Sequence, residues 1–146
     1  MKYGPPQDSA AAKPVVLIVE DEVLVGMALS VALSIAGNHV IGPVSSLSRA
    51  LELAAKECPE VALVDVNLHG KPEGIDVAQA LARQHGTTIV FVTALPELTR
   101  PARHTALGVV SKPYEIALMP RVVAAALRHR HGEPLGTVPR WFELFC

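Results

Sequence analysis

The chain has 146 residues, half of them hydrophobic, and a formal net charge of −1. That length suits one domain with short extras and an ample core, which must be aliphatic because only 4% of residues are aromatic. The near-zero charge argues against nucleic acid or an anionic membrane as the main partner. Cys58 and Cys146 show no metal or CxxC spacing, which fits one interior thiol and one tail thiol in a reducing cytoplasm. No signal peptide and no apolar run of ~18 residues is visible, so neither secretion nor a membrane span is expected.

Residues 1–14 read as a flexible leader, with Pro5-Pro6 and a run of alanines. Val15 to Val19 is a short continuous apolar run, the pattern of a strand buried on both faces, and it ends in Glu20-Asp21-Glu22. From Val23 to Ala36, Leu24, Met27, Ala28, Val31 and Ile35 recur at three- and four-residue spacings. They predict an amphipathic helix with that stripe facing the core, stopped by Gly37-Asn38. His39 to Val44 is a second strand. Ser45 to Glu57 follows as a helix with Leu47, Ala50, Leu51 and Ala54 inward and Ser45, Ser46 or Ser48 as its cap.

Val61-Ala62-Leu63-Val64 then runs into Asp65. Aspartate is poor in strands and rare in cores without a partner, so Asp65 is best explained at a strand's carboxyl end. A loop through His69-Gly70-Lys71-Pro72-Glu73-Gly74 leads to a helix from Ile75 to His85. Thr87 to Ala94 is the fourth strand, with Thr93 near its end. Pro96 and Pro101 make any helix over 95–107 short or broken. Gly108 to Ser111 is the fifth strand, followed by Lys112-Pro113. The last helix covers Val122 to Arg130, with Pro120 in its first turn. Residues 132–146 read as a tail holding Trp141, Phe142 and Phe145. These aromatics either dock on the domain's own surface, or are a leftover, or serve a partner or a homodimer.

Five strands alternating with helices, with no hairpin signal between them, predict an α/β domain over residues 15–131. Its form is a doubly wound five-stranded parallel sheet of the flavodoxin type, (βα)5, with strand order 2-1-3-4-5. In such a sheet the carboxyl ends share one edge, which gathers Glu20, Asp21, Asp65, Thr93 and Lys112. Each carboxylate pair at about 4 Å repels by on the order of 1–4 kcal/mol, and a hard divalent cation, best Mg2+, relieves that. A carboxylate so shielded can attack phosphorus, with Lys112 and Thr93 facing the phosphoryl oxygens. This is a site for an aspartyl phosphate.

Val-Glu20-Asp21, Val64-Asp65-Val66-Asn67, Val92-Thr93-Ala94 and Ser111-Lys112-Pro113 together resemble the receiver domain of two-component response regulators, over about residues 15–130. The resemblance implies that Asp65 accepts a phosphoryl group from a histidine kinase, a histidine phosphotransfer protein or a small phosphodonor. It implies that Glu20, Asp21, Asp65 and the Asn67 backbone carbonyl serve Mg2+. Thr93 becomes the switch hydroxyl, Ala94 leaves access, Lys112 contacts the phosphoryl group, and the Lys112–Pro113 bond is cis. It further implies a cytoplasmic signalling domain, not an enzyme in the ordinary sense, acting through an unidentified downstream protein. The Asp65-Val66-Asn67-Leu68 stretch and the loop to Gly74 are similar to a receiver group of alpha-proteobacteria, some of which stand alone.

One departure is Val109, where receivers often carry the aromatic of a ring switch; reordering of 95–107 on phosphorylation is the expected substitute. Two rival readings follow from the residues. A phosphatase of the haloacid-dehalogenase type wants an acid at position 67, where Asn67 stands. A binding-only pseudo-receiver needs no phosphorylation.

Overall fold

The computed structural model describes residues 12–145. The predicted leader, apart from its last three residues, and Cys146 lie outside them. Strands β1 (Val15–Val19), β2 (His39–Val44), β3 (Val61–Asp65), β4 (Thr88–Thr93) and β5 (Gly108–Ser111) form a parallel sheet ordered β2-β1-β3-β4-β5. This is the predicted doubly wound topology. The central strand β3 is buried at all five positions, as its unbroken apolar run requires.

The side chains alternate between two cores. Leu17, Val19, Ala62, Val64, Phe91 and Val109 pack with α2 (Leu47–Glu57) and α3 (Glu73–His85) on one face. On the other face, Val16, Ile18, Leu63, Val90, Val92 and Val110 pack with α1 (Val23–Ile35) and α4 (Met119–Arg130). Ser46 caps α2 by accepting the Arg49 amide at 3.3 Å. Gly86 ends α3 at φ +64°. Pro120 sits in the first turn of α4, and residues 96–102 form only a 3-10 turn, as their prolines dictate.

Cys58, expected inside, is exposed. Two further expectations are corrected. First, the stripe assigned to the core on α1 faces outward: Leu24 and Ile35 are each 82% exposed, Val31 58% and Met27 54%. Gly26, Leu29 and Leu33 are buried instead. Residues 23–36 contain no charge, so periodicity alone offers two apolar faces and no way to choose. Packing decides it, because a Cβ at Gly26 would lie 2.8 Å from the Pro43 ring, and only glycine lets α1 approach β2 there.

Second, the sheet has six strands. Phe142–Leu144 forms β6, antiparallel to β5, with Val110 opposite Phe142 and Gly108 opposite Leu144. Ser111 donates its amide to the Trp141 carbonyl at 2.9 Å, and Phe145 donates to Leu107 at 2.8 Å. Phe142 is buried in the α1/α4 core, while Phe145 packs on the opposite core. Of the readings left open for the aromatic tail, docking on the domain's own surface is the one observed. The strand covers what would otherwise be a bare sheet edge.

Gly108 is where this pairing is most exacting. A Cβ there would collide with the Glu143 carbonyl and approach the Phe142 ring to 2.9 Å. Gly108→Val is expected to expel residues 141–145 and cost about 2 kcal/mol, the burial value of one large apolar side chain. Chemical denaturation will show the loss, and Trp141 emission will shift to the red; unchanged emission would contradict the pairing.

Candidate functional site

Parallel register sets the site. Val19 pairs with Val64, Asp65 with Val92 and Thr93 with Ser111, so four strands end in one row. The residues just past or at those ends are the ones the sequence singled out. Glu20 and Asp65 are buried, each 5% exposed, and Asp21 is half-buried. One carboxylate oxygen from each of Glu20, Asp21 and Asp65 lies within 4.8 Å of the others.

Each acid is held by a backbone amide. Glu22 donates to Glu20 Oε2 at 3.1 Å and Asn67 to Asp65 Oδ1 at 3.1 Å, both local bonds two residues apart. The third amide, His69, donates to Asp21 Oδ2 at 2.8 Å from 48 residues away. Lys112 Nζ reaches Asp65 Oδ2 at 2.9 Å and lies 3.6 Å from Glu20 Oε1. The Lys112 amide donates to the Thr93 carbonyl at 2.9 Å, which ties β5's exit to β4's. The Lys112–Pro113 bond is cis. Gly74 backs the site, since a Cβ there would collide with the Asp65 carbonyl.

Thr93 is buried at the next strand end. Its hydroxyl oxygen accepts the Leu95 amide at 3.1 Å, which leaves its own proton to donate. Asn67 and Ala94 are exposed at the rim. Beside Lys112, a groove of about 620 Å³ opens between Leu24, Val25 and Ala28 of α1 and Pro113, Tyr114 and Ile116.

The electrostatics follow from burying like charges. Burial pushes the Glu20 carboxyl up to about 7 and the Asp65 charge adds to the rise, while the Glu22 amide and Lys112 pull it back only in part. For Lys112, burial alone would lower the ammonium. Its hydrogen bond and attraction to Asp65, then Glu20, outweigh that and lift it above the usual lysine value. Burial also raises Tyr114, helped by the Glu20 charge. An oxygen-only donor set in which burial, helped by a neighbouring carboxylate, lifts one member to about 7 fits a hard divalent cation such as Mg2+.

Sequence reasoning missed the His69 turn and the pairing of Tyr114 with Trp141, whose rings are 6.0 Å apart. A detectable signal did exist for the turn. His69-Gly70, between Leu68 and Lys71, occupies positive φ at both positions, +54° and +80°, and Leu68 and Lys71 exchange backbone hydrogen bonds across it.

The response regulator receiver domain family matches residues 16–124. The chain belongs to the receiver family. It is 35% identical over 132 residues to the transcriptional regulatory protein PdtaR of Mycobacterium tuberculosis, covering 87% of this chain and 64% of that one. It is 30% identical over 115 residues to the phyllosphere-induced regulator PhyR of Methylorubrum extorquens, covering 77% and 43%. The chain thus spans less than two-thirds of the length of these curated relatives. Among solved structures, the receiver domain of a modulated diguanylate cyclase from Desulfovibrio desulfuricans aligns with TM-score 0.72 and 30% identity over 84% of this chain and 99% of that one. The receiver domain of PhyR from Erythrobacter litoralis aligns with TM-score 0.69 and 30% identity over 79% and 90%. Receivers are signalling domains of two-component systems, and in this chain Glu20, Asp21, Asp65 and Lys112 meet at one edge of the sheet. No helix of the described residues is long and apolar enough to cross a membrane.

The raised Glu20 makes a pH prediction. Between its ordinary 4.5 and about 7 the folded state binds the extra proton, so the metal-free protein loses stability as pH rises through that window. The slope from this one group is at most about 1.4 kcal/mol per pH unit. Thermal midpoints from pH 5 to 8 should fall more steeply for wild type than for Glu20→Gln, and Mg2+ should flatten the wild-type fall. Parallel curves for the two proteins would contradict the assignment.

Proposed function

We propose that this receiver accepts a phosphoryl group on Asp65 from a histidine kinase or histidine phosphotransfer protein, and signals in the cytoplasm through protein–protein contacts. The observation that carries this is the Asp65–Lys112 pair, 2.9 Å apart in a crowded acid cluster at the strand edge. A carboxylate oxygen of Asp65 attacks phosphorus, the bond to the donor's nitrogen or acyl oxygen breaks, and the donor leaves with that electron pair. Lys112 stays with the charged oxygens as they pass from carboxylate to acyl phosphate, and the Thr93 hydroxyl donates its proton in a hydrogen bond to the phosphoryl group. Glu20, Asp21, Asp65 and the Asn67 carbonyl would hold Mg2+, which supplies charge neutralisation between nucleophile and phosphoryl group.

The exposed apolar stripe Leu24, Met27, Val31 and Ile35 begins beside this site and offers a protein donor a surface to rest on. Asn67 at the second position after Asp65 disfavours the phosphatase alternative, because an amide supplies no titrating proton. Intact mass after incubation with acetyl phosphate and Mg2+ should show one added phosphoryl group on wild type and none on Asp65→Asn. Wild type that stays unmodified would favour the binding-only pseudo-receiver.

Switching follows from Thr93. Turning its hydroxyl toward a phosphoryl group strains or breaks the bond from the Leu95 amide, at the start of the proline-broken 95–107 segment. Val109 is fully buried with no ring to swing, so this segment is the mobile element of the proposal. Amide exchange over residues 95–107 should quicken on adding beryllofluoride with Mg2+. Unchanged exchange there counts against it.

A further inference from the structure

Three carboxylates make the acid cluster, and their anchors are not equivalent. Glu20 and Asp65 are each fixed by the amide two residues on, a bond that the local strand exit provides. Asp21 depends on the amide of His69, which stands in a two-residue turn protruding from the β3–α3 connection. That turn is built to hold a position. Leu68, immediately before it, is fully buried, and Leu68 and Lys71 close it with reciprocal backbone bonds of 2.8 and 3.1 Å. His69 itself sits at φ +54°, where a non-glycine residue is uncommon, and its ring is 3.1 Å from the Ser45 hydroxyl (Nε2 to Oγ) just past the end of β2. The ring therefore ties the turn to the β2 exit while the backbone amide of the same residue reaches Asp21.

We propose that His69, clasped by Ser45, is a positioning residue that orients the Asp21 carboxylate for a divalent cation. With Oδ2 engaged by the His69 amide, Oδ1 would be the less encumbered oxygen for a metal. The clasp narrows the carboxylate's rotation before any cation arrives, which is how groups behind a metal ligand commonly raise affinity. The inference rests on the receiver reading of the acid cluster.

Mg2+ binding to the full chain, followed by isothermal titration calorimetry, tests it. His69→Gly keeps the backbone amide and tolerates the positive φ but removes the ring. Ser45→Ala removes the other half of the clasp. Each is expected to weaken Mg2+ about tenfold, the low end for partners behind a metal ligand, with the thermal midpoint of the metal-free protein unchanged. The double variant should be no weaker than either single one, because both break the same contact. Ser45→Thr, which keeps the hydroxyl, should bind as wild type does. Single variants within twofold of wild type would overturn the inference, as would additive losses or losses that track thermal stability. Failure of the wild type to take up Mg2+ would instead overturn the receiver chemistry, and this inference with it.

Discussion

The structure depends on holding three carboxylates in one pocket with a single ammonium group to balance them. Two of the acids are nearly inaccessible to water, so their repulsion is poorly screened. Lys112 bonds Asp65 and leans toward Glu20, but one positive charge cannot match three negative ones. Burial, with the Asp65 charge adding to it, raises the Glu20 carboxyl to about 7. Such an oxygen-only edge suits the small divalent cation proposed for it.

The periphery keeps that edge in place. Glycine at 74 lets α3 seat against the Asp65 carbonyl, and glycine at 26 lets α1 close on β2, directly after Glu20 and Asp21. On the far side, β6 pairs along β5 and stops at Ser111, one residue short of Lys112. Trp141 rests on Tyr114, two residues beyond that lysine. The tail thus braces the strand that delivers the only ammonium group found within 4 Å of the cluster's acids among the described residues.

Much of this was legible in the sequence, for a physical reason. A buried parallel strand is an uninterrupted apolar run, so a charge directly after it marks both the strand's end and the sheet's functional edge. Glu20, Asp21, Asp65 and Lys112 all carried that mark. The face of α1 was not legible, because fourteen residues without a charge provide no polar side to turn outward, and the deciding contact with Pro43 is tertiary. The sixth strand was equally hidden. It is three residues long, its partner lies more than thirty residues upstream, and Gly108 reads as an ordinary strand start until another backbone is laid against it. The sequence places His69 in a loop and nothing more, since its contribution is a backbone amide aimed by a turn.

These differences divide the site by the range of its contacts. The amides that fix Glu20 and Asp65 come from two residues away and can form once the local chain bends. The bonds that complete the site, His69 to Asp21 and Lys112 to Asp65, span 48 and 47 residues. They exist only when β1, β3 and β5 lie in register. A cation that used all three acids at once would therefore bind the assembled sheet and not the open chain, and its binding energy would add to the stability of the fold by linkage. Burial and charge crowding act on these same long-range contacts, so the protonation of this edge is tied to the assembly of the sheet.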